Sequence, residues 1–138
     1  MRMLIDTNVF LDFFLNRDFD EADKMFQYCF EKNNQLYITS LSLRDIEYAA
    51  HHAVHDKTIS KAIQRKAYNL AHKVIGISAD AAINSLFSDI DDYEDSLQIE
   101  AAKEALLDCI VTNNKKDFKN CGIAVFTPKE LNEIWSKQ

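Results

Sequence analysis

The sequence predicts an α/β fold in which a mostly parallel central sheet is flanked by helices. Short apolar segments alternate with amphipathic segments whose apolar residues recur at helical spacing. This alternation is typical of βαβ units, in which a helix connects two parallel strands. The chain has 138 residues, of which 47% are hydrophobic, 28% are charged, two are glycine and one is proline. Such a composition favours one domain, residues 1–138, built from helices with short connections.

The first half of the chain is predicted to hold two strands and four helices. Strand candidates are short apolar runs, and helix candidates carry apolar residues three and four positions apart. In order, they are a strand at 3–5, a helix from Thr7, a helix from about Asp20 to Lys32, a strand at 36–38, a helix that Thr39, Ser40 or Ser42 caps, and a helix from about Thr58. We expect Asp18 or Asp20 to cap the second of these helices.

The second half begins with residues 74–77, which fit either the last turn of a helix or a short strand. Ser78 is expected to cap a short helix that ends near Phe87, and Asp91 or Asp92 a longer one that ends near Leu107. Two further strand candidates lie at 109–111 and 124–126. Pro128 opens a final helix, where its missing N–H group is tolerated.

Four aspartates stand where parallel strands would bring them to one edge of the sheet. Asp6, Asp45 and Asp117 each come after a strand candidate, and Asp95 lies in the opening turns of a long helix. Taken singly, each is explained equally well as a helix cap, a turn residue or a surface acid. Ligands of such sheets bind beyond the carboxyl ends of the strands, so the four together predict a site there.

A cluster of carboxylates points to metal chemistry, because like charges repel one another unless a cation compensates them. Oxygen ligands of this kind suit Mg²⁺ or Mn²⁺. Such an ion can activate a water molecule and stabilise the leaving oxygen of a phosphodiester. The cluster therefore predicts a nuclease, although spacing alone leaves open whether the acids meet. If they do not, a phosphatase-like or purely structural α/β domain becomes the alternative.

Four segments of the sequence resemble the PIN-domain family. They are residues 4–9, 92–98, 111–118 and 122–130, in that order, so that the resemblance covers nearly the whole chain. It implies a PIN-like three-layer fold, with a mostly parallel central sheet flanked by helices. It also implies a site for Mg²⁺ or Mn²⁺ and the hydrolysis of single-stranded RNA.

The resemblance also implies roles for individual residues. The catalytic acids would be Asp6, Asp45, Asp95 and Asp117, of which Asp6, Asp95 and Asp117 would bind the metal. Supporting residues would be Asn8, Thr112, Asn114 and Asp92. The sequence departs from the family pattern at two positions. Asn114 stands where many members carry an acid, so Asp117 would take that role, and Asp45 stands where the family usually has Glu. Glu47 is a less favoured substitute for Asp45.

Many small bacterial members of this family are toxins, often homodimers, that an antitoxin holds. The implied partners are therefore single-stranded RNA, an antitoxin protein and a second copy of the chain. The alternative is a catalytically inactive PIN-like module that binds nucleic acid or protein. A turned-away Asp45 would favour this alternative.

A net charge of −6 is unusual for a protein that binds a polyanion, so local basic groups matter. Lys57, Lys61 and Arg65 form a stripe at i, i+4 and i+8, and Lys115, Lys116 and Lys119 lie beside Asp117. We expect both groups to contact RNA phosphates, with a solvated helix face as the alternative for the stripe.

The sequence predicts a cytoplasmic protein without a membrane segment. No stretch approaches the roughly 18 consecutive apolar residues that a membrane span needs, and Asp6 and Asp12 interrupt the apolar start of the chain. The three cysteines are an odd number without metal-ligand spacing, which is typical of buried thiols in a reducing compartment.

Overall fold

Five parallel strands form one sheet in the computed structural model, which describes residues 1–138. The strands are β1 (Arg2–Ile5), β2 (Gln35–Thr39), β3 (Lys73–Ile75), β4 (Cys109–Val111) and β5 (Ala124–Phe126). Their order across the sheet is β3-β2-β1-β4-β5, and every neighbouring pair is parallel. The predicted α/β fold is therefore confirmed.

Seven α-helices connect and follow the strands. They are α1 (Thr7–Phe14), α2 (Phe19–Glu31), α3 (Ser40–Val54), α4 (Lys57–Leu70), α5 (Ala79–Leu86), α6 (Tyr93–Glu104) and α7 (Pro128–Ser136). A short 3₁₀ helix, Lys115–Phe118, lies between β4 and β5. None of the helices combines the length and the apolar character that crossing a membrane requires.

Three of the predicted helix caps form as expected. The side chains of Thr39, Ser78 and Asp92 each accept a hydrogen bond from the backbone N–H group three residues later, at 2.9 to 3.0 Å. Asp18 precedes α2 but makes no such bond, so the prediction that it caps this helix is wrong. Asp18 adopts a left-handed conformation with φ of 45°, whereas a capping residue is normally extended. Asp20, the alternative cap, lies inside the first turn.

The first two residues of the ambiguous segment at 74–77 belong to the edge strand of the sheet, β3. Helix α4 ends at Leu70, and β3 then pairs with β2 through Tyr37–Lys73, Ile38–Val74 and Thr39–Ile75. Because β3 has three residues and its side chains are only partly buried, its apolar pattern is weak.

The core lies on both faces of the sheet, which makes the fold three layers deep. Met3 and Ile5 of β1 point into a larger cluster that also includes residues of α1, α2, α3, α4 and α7. Leu4 points to the opposite face, where it packs with residues of α6 and with Phe118 of the 3₁₀ helix. Successive strand residues alternate between faces, so the same short strand serves both halves of the core.

Candidate active site

Asp6 directly follows β1 and is the one acidic residue of the chain that is buried, with 7% of its surface exposed. Its Oδ1 accepts a hydrogen bond from the backbone N–H of Thr7 at 2.8 Å, and its Oδ2 accepts one from Thr112 Oγ1 at 2.8 Å. Burial raises the pKa of Asp6, and the hydrogen bonds from Thr112, Thr7 and Gln98 oppose that rise. The carboxylate is therefore held in one orientation by groups that favour its charged form.

Thr112 follows β4, the strand that lies beside β1. Its buried hydroxyl accepts a hydrogen bond from the backbone N–H of Asn114 at 3.1 Å. A hydroxyl has a single hydrogen to donate, and here that hydrogen goes to Asp6. Asn114 thus supports the site through its backbone, while the residue itself lies exposed.

Gln98 of α6 is a buried residue that the sequence reasoning left out of the site. Its Oε1 accepts a hydrogen bond from Thr39 Oγ1 and its Nε2 donates one to Ser42 Oγ, both at 2.7 Å. Thr7 Oγ1 donates to the same Ser42 Oγ at 2.8 Å. The network ties α6 to the starts of α1 and α3. Gln98 lies three residues after Asp95, on the same helix face, and that spacing was the available signal.

A pocket of about 320 Å³ brings together three of the four predicted acids, Asp6, Asp45 and Asp95. Asn8, Glu94 and Gln98 also line this pocket, which we call the central pocket.

The central pocket bears on which residue of α3 is the second acid. The side chain of Asp45 lines the pocket, is 18% exposed and pairs with Arg44 at 3.0 Å. Glu47 instead accepts a hydrogen bond from Ser60 of α4 at 3.2 Å and does not line the pocket. The geometry therefore favours Asp45 over Glu47.

Asp117 lies in an adjacent pocket of about 340 Å³ together with Asp92 and Asp95, which we call the outer pocket. Asp117 is exposed and belongs to the 3₁₀ helix rather than to a strand end. Asp95 lines both pockets, whereas Asp6 and Asp117 share neither. The predicted acids thus form two groups that meet at Asp95.

The pKa of Asp95 is raised to about 7, first by burial and then by the charges of Asp92, Asp6, Asp117 and Glu94. The pKa of Glu94 is raised as well, first by burial and then by the charges of Asp45 and Asp92. Each acid therefore destabilises the ionised form of its neighbours. A cation bound among them would relieve this repulsion.

The donor set fits Mg²⁺ or Mn²⁺ in charge and in ligand chemistry, because it consists of carboxylate and amide oxygens. No group of three or more His, Cys, Asp or Glu side chains is arranged in the structure to hold a metal ion. The residues that could hold one are Asp6 and Asp95, with Asp117 on the side of the outer pocket.

The basic residues that are predicted to contact RNA lie in three different environments: the outer pocket, an ion pair with α7, and the exposed surface of α4. Lys116 and Lys119, two of the three lysines beside Asp117, line the outer pocket. Lys115 pairs with Glu130 of α7 at 2.9 Å. The predicted stripe of α4, Lys57, Lys61 and Arg65, is exposed and lines neither pocket. Contact of any of them with RNA stays a prediction.

A comparison with known families identifies the fold. The sequence profile of the PIN domain matches residues 2–116, which is most of the chain. The chain belongs to the PIN-domain family. None of the curated protein sequences matches it.

Several solved structures share the fold of this PIN domain. A DNA-bound VapBC from Salmonella typhimurium superposes with a TM-score of 0.72 at 19% identity, covering 93% of this chain and 98% of that one. VapBC2 from Rickettsia felis, bound to promoter DNA, gives a TM-score of 0.69 at 20% identity and covers 92% of this chain and 98% of its own. A toxin–antitoxin complex from Klebsiella pneumoniae gives a TM-score of 0.66 at 26% identity, covering 91% of this chain and 97% of that one. In each case the similarity covers more than nine-tenths of this chain, so the fold is shared over nearly its whole length.

Proposed function

We propose that this PIN domain is a metal-dependent endoribonuclease that hydrolyses phosphodiester bonds of single-stranded RNA. The observation that carries the proposal is the central pocket, in which Asp6, Asp45 and Asp95 come from three different elements and line one cavity. The raised pKa of Asp95, about 7, supports a site built to receive a cation.

Asp6 and Asp95 would hold Mg²⁺ or Mn²⁺, and Asp117 would add a ligand from the outer pocket. A carboxylate has about four acceptor positions. Thr7 uses one on Oδ1 of Asp6, Thr112 uses one on Oδ2 and Gln98 contributes a further hydrogen bond, so that one position remains for an ion. When bound, the ion would activate water and stabilise the leaving oxygen of the phosphodiester.

The remaining residues of the site would position the reactants. Asp45 enters the central pocket from α3 and can accept a hydrogen bond from the attacking water. Asn8 offers a polar side chain in the central pocket, Asn114 supports Thr112 through its backbone N–H group, and Asp92 fixes the start of α6 by capping it. Thr112 keeps the carboxylate of Asp6 oriented, which is the role of a group that supports a metal ligand.

We further propose that the protein is the toxin of a toxin–antitoxin pair, with an antitoxin protein as partner and a homodimer as its assembly. The similar structures from Salmonella typhimurium and Klebsiella pneumoniae, which are complexes of such pairs, support this role. The three cysteines are free and buried, as is usual for a protein of the reducing cytoplasm.

A catalytically inactive PIN-like binding module is the second candidate. The observation that favours it is that no three acidic, histidine or cysteine side chains are arranged to hold a metal ion. In such a module the pocket would serve recognition alone, and RNA or a protein partner would bind without being cleaved.

The test is incubation of the purified protein with a mixed pool of single-stranded RNA and Mn²⁺ or Mg²⁺, with EDTA as a control. We expect cleavage that EDTA stops and that the double variant Asp6→Asn, Asp95→Asn lacks. The matched control is Asp20→Asn, Asp80→Asn, which removes two exposed carboxylates outside both pockets and should cleave normally. No cleavage by the folded protein with either ion would favour the binding module.

A further inference from the structure

We infer that Arg44 binds a phosphate of the RNA substrate at the rim of the central pocket, next to the phosphate that is cleaved. This inference rests on the proposed ribonuclease function. Among the residues that line the central pocket, Arg44 is the single cation. Its side chain is 69% exposed, so it can reach a ligand that approaches from solvent.

The pocket needs a cation for electrostatic reasons. Four acids line it, namely Asp6, Asp45, Glu94 and Asp95, and the chain as a whole carries a net charge of −6. A polyanion that enters such a pocket is repelled, and phosphate neutralisation by Lys or Arg normally supplies most of the affinity for nucleic acid. Arg44 is the residue placed to offset that repulsion within the central pocket itself.

The present partner of Arg44 is easily exchanged. Arg44 Nη1 donates to Asp45 Oδ1 at 3.0 Å, and the two residues are neighbours in α3. Adjacent helix residues point to different sides of the helix, and an ion pair with so exposed a member contributes little to stability. A guanidinium has five N–H donors, so a phosphate can take the place of Asp45 through a two-pronged contact.

Tyr48, one turn further along α3, holds the guanidinium in place. The central carbon of the Arg44 guanidinium lies 5.5 Å from the centroid of the Tyr48 ring, which also lines the central pocket. The ring of His52, a further turn on, stacks on Tyr48 with centroids 5.2 Å apart and an interplanar angle of 28°. The three planar side chains form a column on an exposed helix face. A cation–π contact of this kind restrains the guanidinium without neutralising it.

Two measurements test Arg44: cleavage kinetics on a defined single-stranded RNA with Mn²⁺, and the salt dependence of RNA binding in EDTA. For Arg44→Ala we expect a KM about tenfold higher with kcat almost unchanged, the effect of losing one charge-assisted contact. The slope of log Kd against log salt should become shallower by about 0.7, the value for one lost phosphate contact on a single strand. Arg44→Lys should keep the slope and recover only part of the KM, because an ammonium cannot form the two-pronged contact.

The role of Tyr48 as a positioning residue has its own pair of variants. We expect Tyr48→Ala to raise KM less than Arg44→Ala does, with the salt slope unchanged because no charge is lost. Tyr48→Phe keeps the ring and should restore the wild-type KM, which a role of the hydroxyl group would not allow.

The matched control for Arg44 is Arg17→Ala. Arg17 is also an exposed arginine, paired with Asp12 at 3.6 Å, but it does not line the central pocket, so its loss should leave KM and slope unchanged. If the wild type cleaves RNA and Arg44→Ala keeps its KM and salt slope, the inference about Arg44 is overturned alone. It is also overturned if Arg44→Ala changes only the oligomeric mass, since the column would then be a protein interface. If the wild type neither binds nor cleaves RNA, the proposed function and the inference both fail.

Discussion

Asp6 and Asp117 both follow a strand of the sheet, yet the protein surrounds them very differently. Asp6 comes straight after β1, is buried, and accepts hydrogen bonds from Thr7 and Thr112. Asp117 comes six residues after Val111, the end of β4, and stands exposed in a 3₁₀ helix. One carboxylate is held by hydrogen bonds before any ligand arrives, and the other is exposed without a side-chain hydrogen bond.

The difference teaches how a site can tolerate a cluster of negative charge. Asp6 carries the desolvation penalty of its burial, and donors arranged around it offset part of that penalty. Asp117 stays in water and avoids such a penalty. Asp95 lines both pockets, and the charges of Asp6 and Asp117 both raise its pKa, so it is where the two regions are coupled.

The largest predicted effect is the difference in RNA cleavage between variants of Asp6 and Asp117. We expect Asp6→Asn to lower the rate of RNA cleavage by about a hundredfold or more, because it removes a charged metal ligand that is already oriented. Asp117→Asn should lower it by about tenfold or less, and its free energy of unfolding should stay within about 0.5 kcal/mol of the wild type. Cleavage assays at saturating Mn²⁺ and thermal melts measure both. Equal losses of activity in the two variants would remove the distinction between the buried Asp6 and the exposed Asp117.

The second prediction concerns the hydrogen bond from Thr112 that orients Asp6. Thr112→Val has nearly the same shape but leaves Asp6 Oδ2 without its donor, so we expect a loss of about 1 to 3 kcal/mol of stability. Cleavage should fall by about ten- to a hundredfold, as for other groups that orient a metal ligand. Thr112→Ser keeps the hydroxyl and is the control, with activity near that of the wild type. Wild-type cleavage by Thr112→Val would mean that Asp6 needs no orientation.

The smallest predicted effect concerns the pH dependence of the metal-free protein. The folded-state pKa of Asp95 is about 7 and its ordinary value is 3.8, so the folded protein binds more protons than the unfolded chain between these values. Stability should therefore fall as the pH rises from about 4 to about 7. Asp95→Asn removes this loss, and we expect it to be more stable than the wild type at pH 8 by about 1 to 2 kcal/mol after allowance for solvent screening.

Urea unfolding at pH 4 and pH 8 in EDTA checks the stability effect, with Asp20→Asn as the control for removal of an exposed carboxylate. If the difference in free energy of unfolding between the wild type and Asp95→Asn is the same at pH 8 as at pH 4, Asp95 titrates as an ordinary surface acid.

The sequence predicted the sheet and the helices well because local patterns determine them. Strands at 109–111 and 124–126 match β4 and β5, and the caps at Thr39, Ser78 and Asp92 form as expected. The Asp18 cap failed because the chain enters α2 through a left-handed residue, and residue type alone does not reveal that conformation.

The site was less accessible to sequence reasoning, because it depends on which side chains meet in space. The spacing of the acids indicated an edge of the sheet but not the division into two pockets that share Asp95. The sequence signal for Gln98 was only its spacing from Asp95, because its hydrogen bonds to Thr39 and Ser42 join residues 59 and 56 positions apart.

The central claim, that Asp6 and Asp95 belong to one metal site, is tested most directly by titrating the isolated protein with Mn²⁺ and counting the bound ions by calorimetry. We expect bound Mn²⁺ at pH 8, with an affinity about tenfold lower at pH 6, because the ion must displace a proton from Asp95. Asp6→Asn and Asp95→Asn should each lose this binding, while Asp20→Asn keeps it. Absence of binding at pH 8, or equal binding by Asp95→Asn and the wild type, would contradict the account.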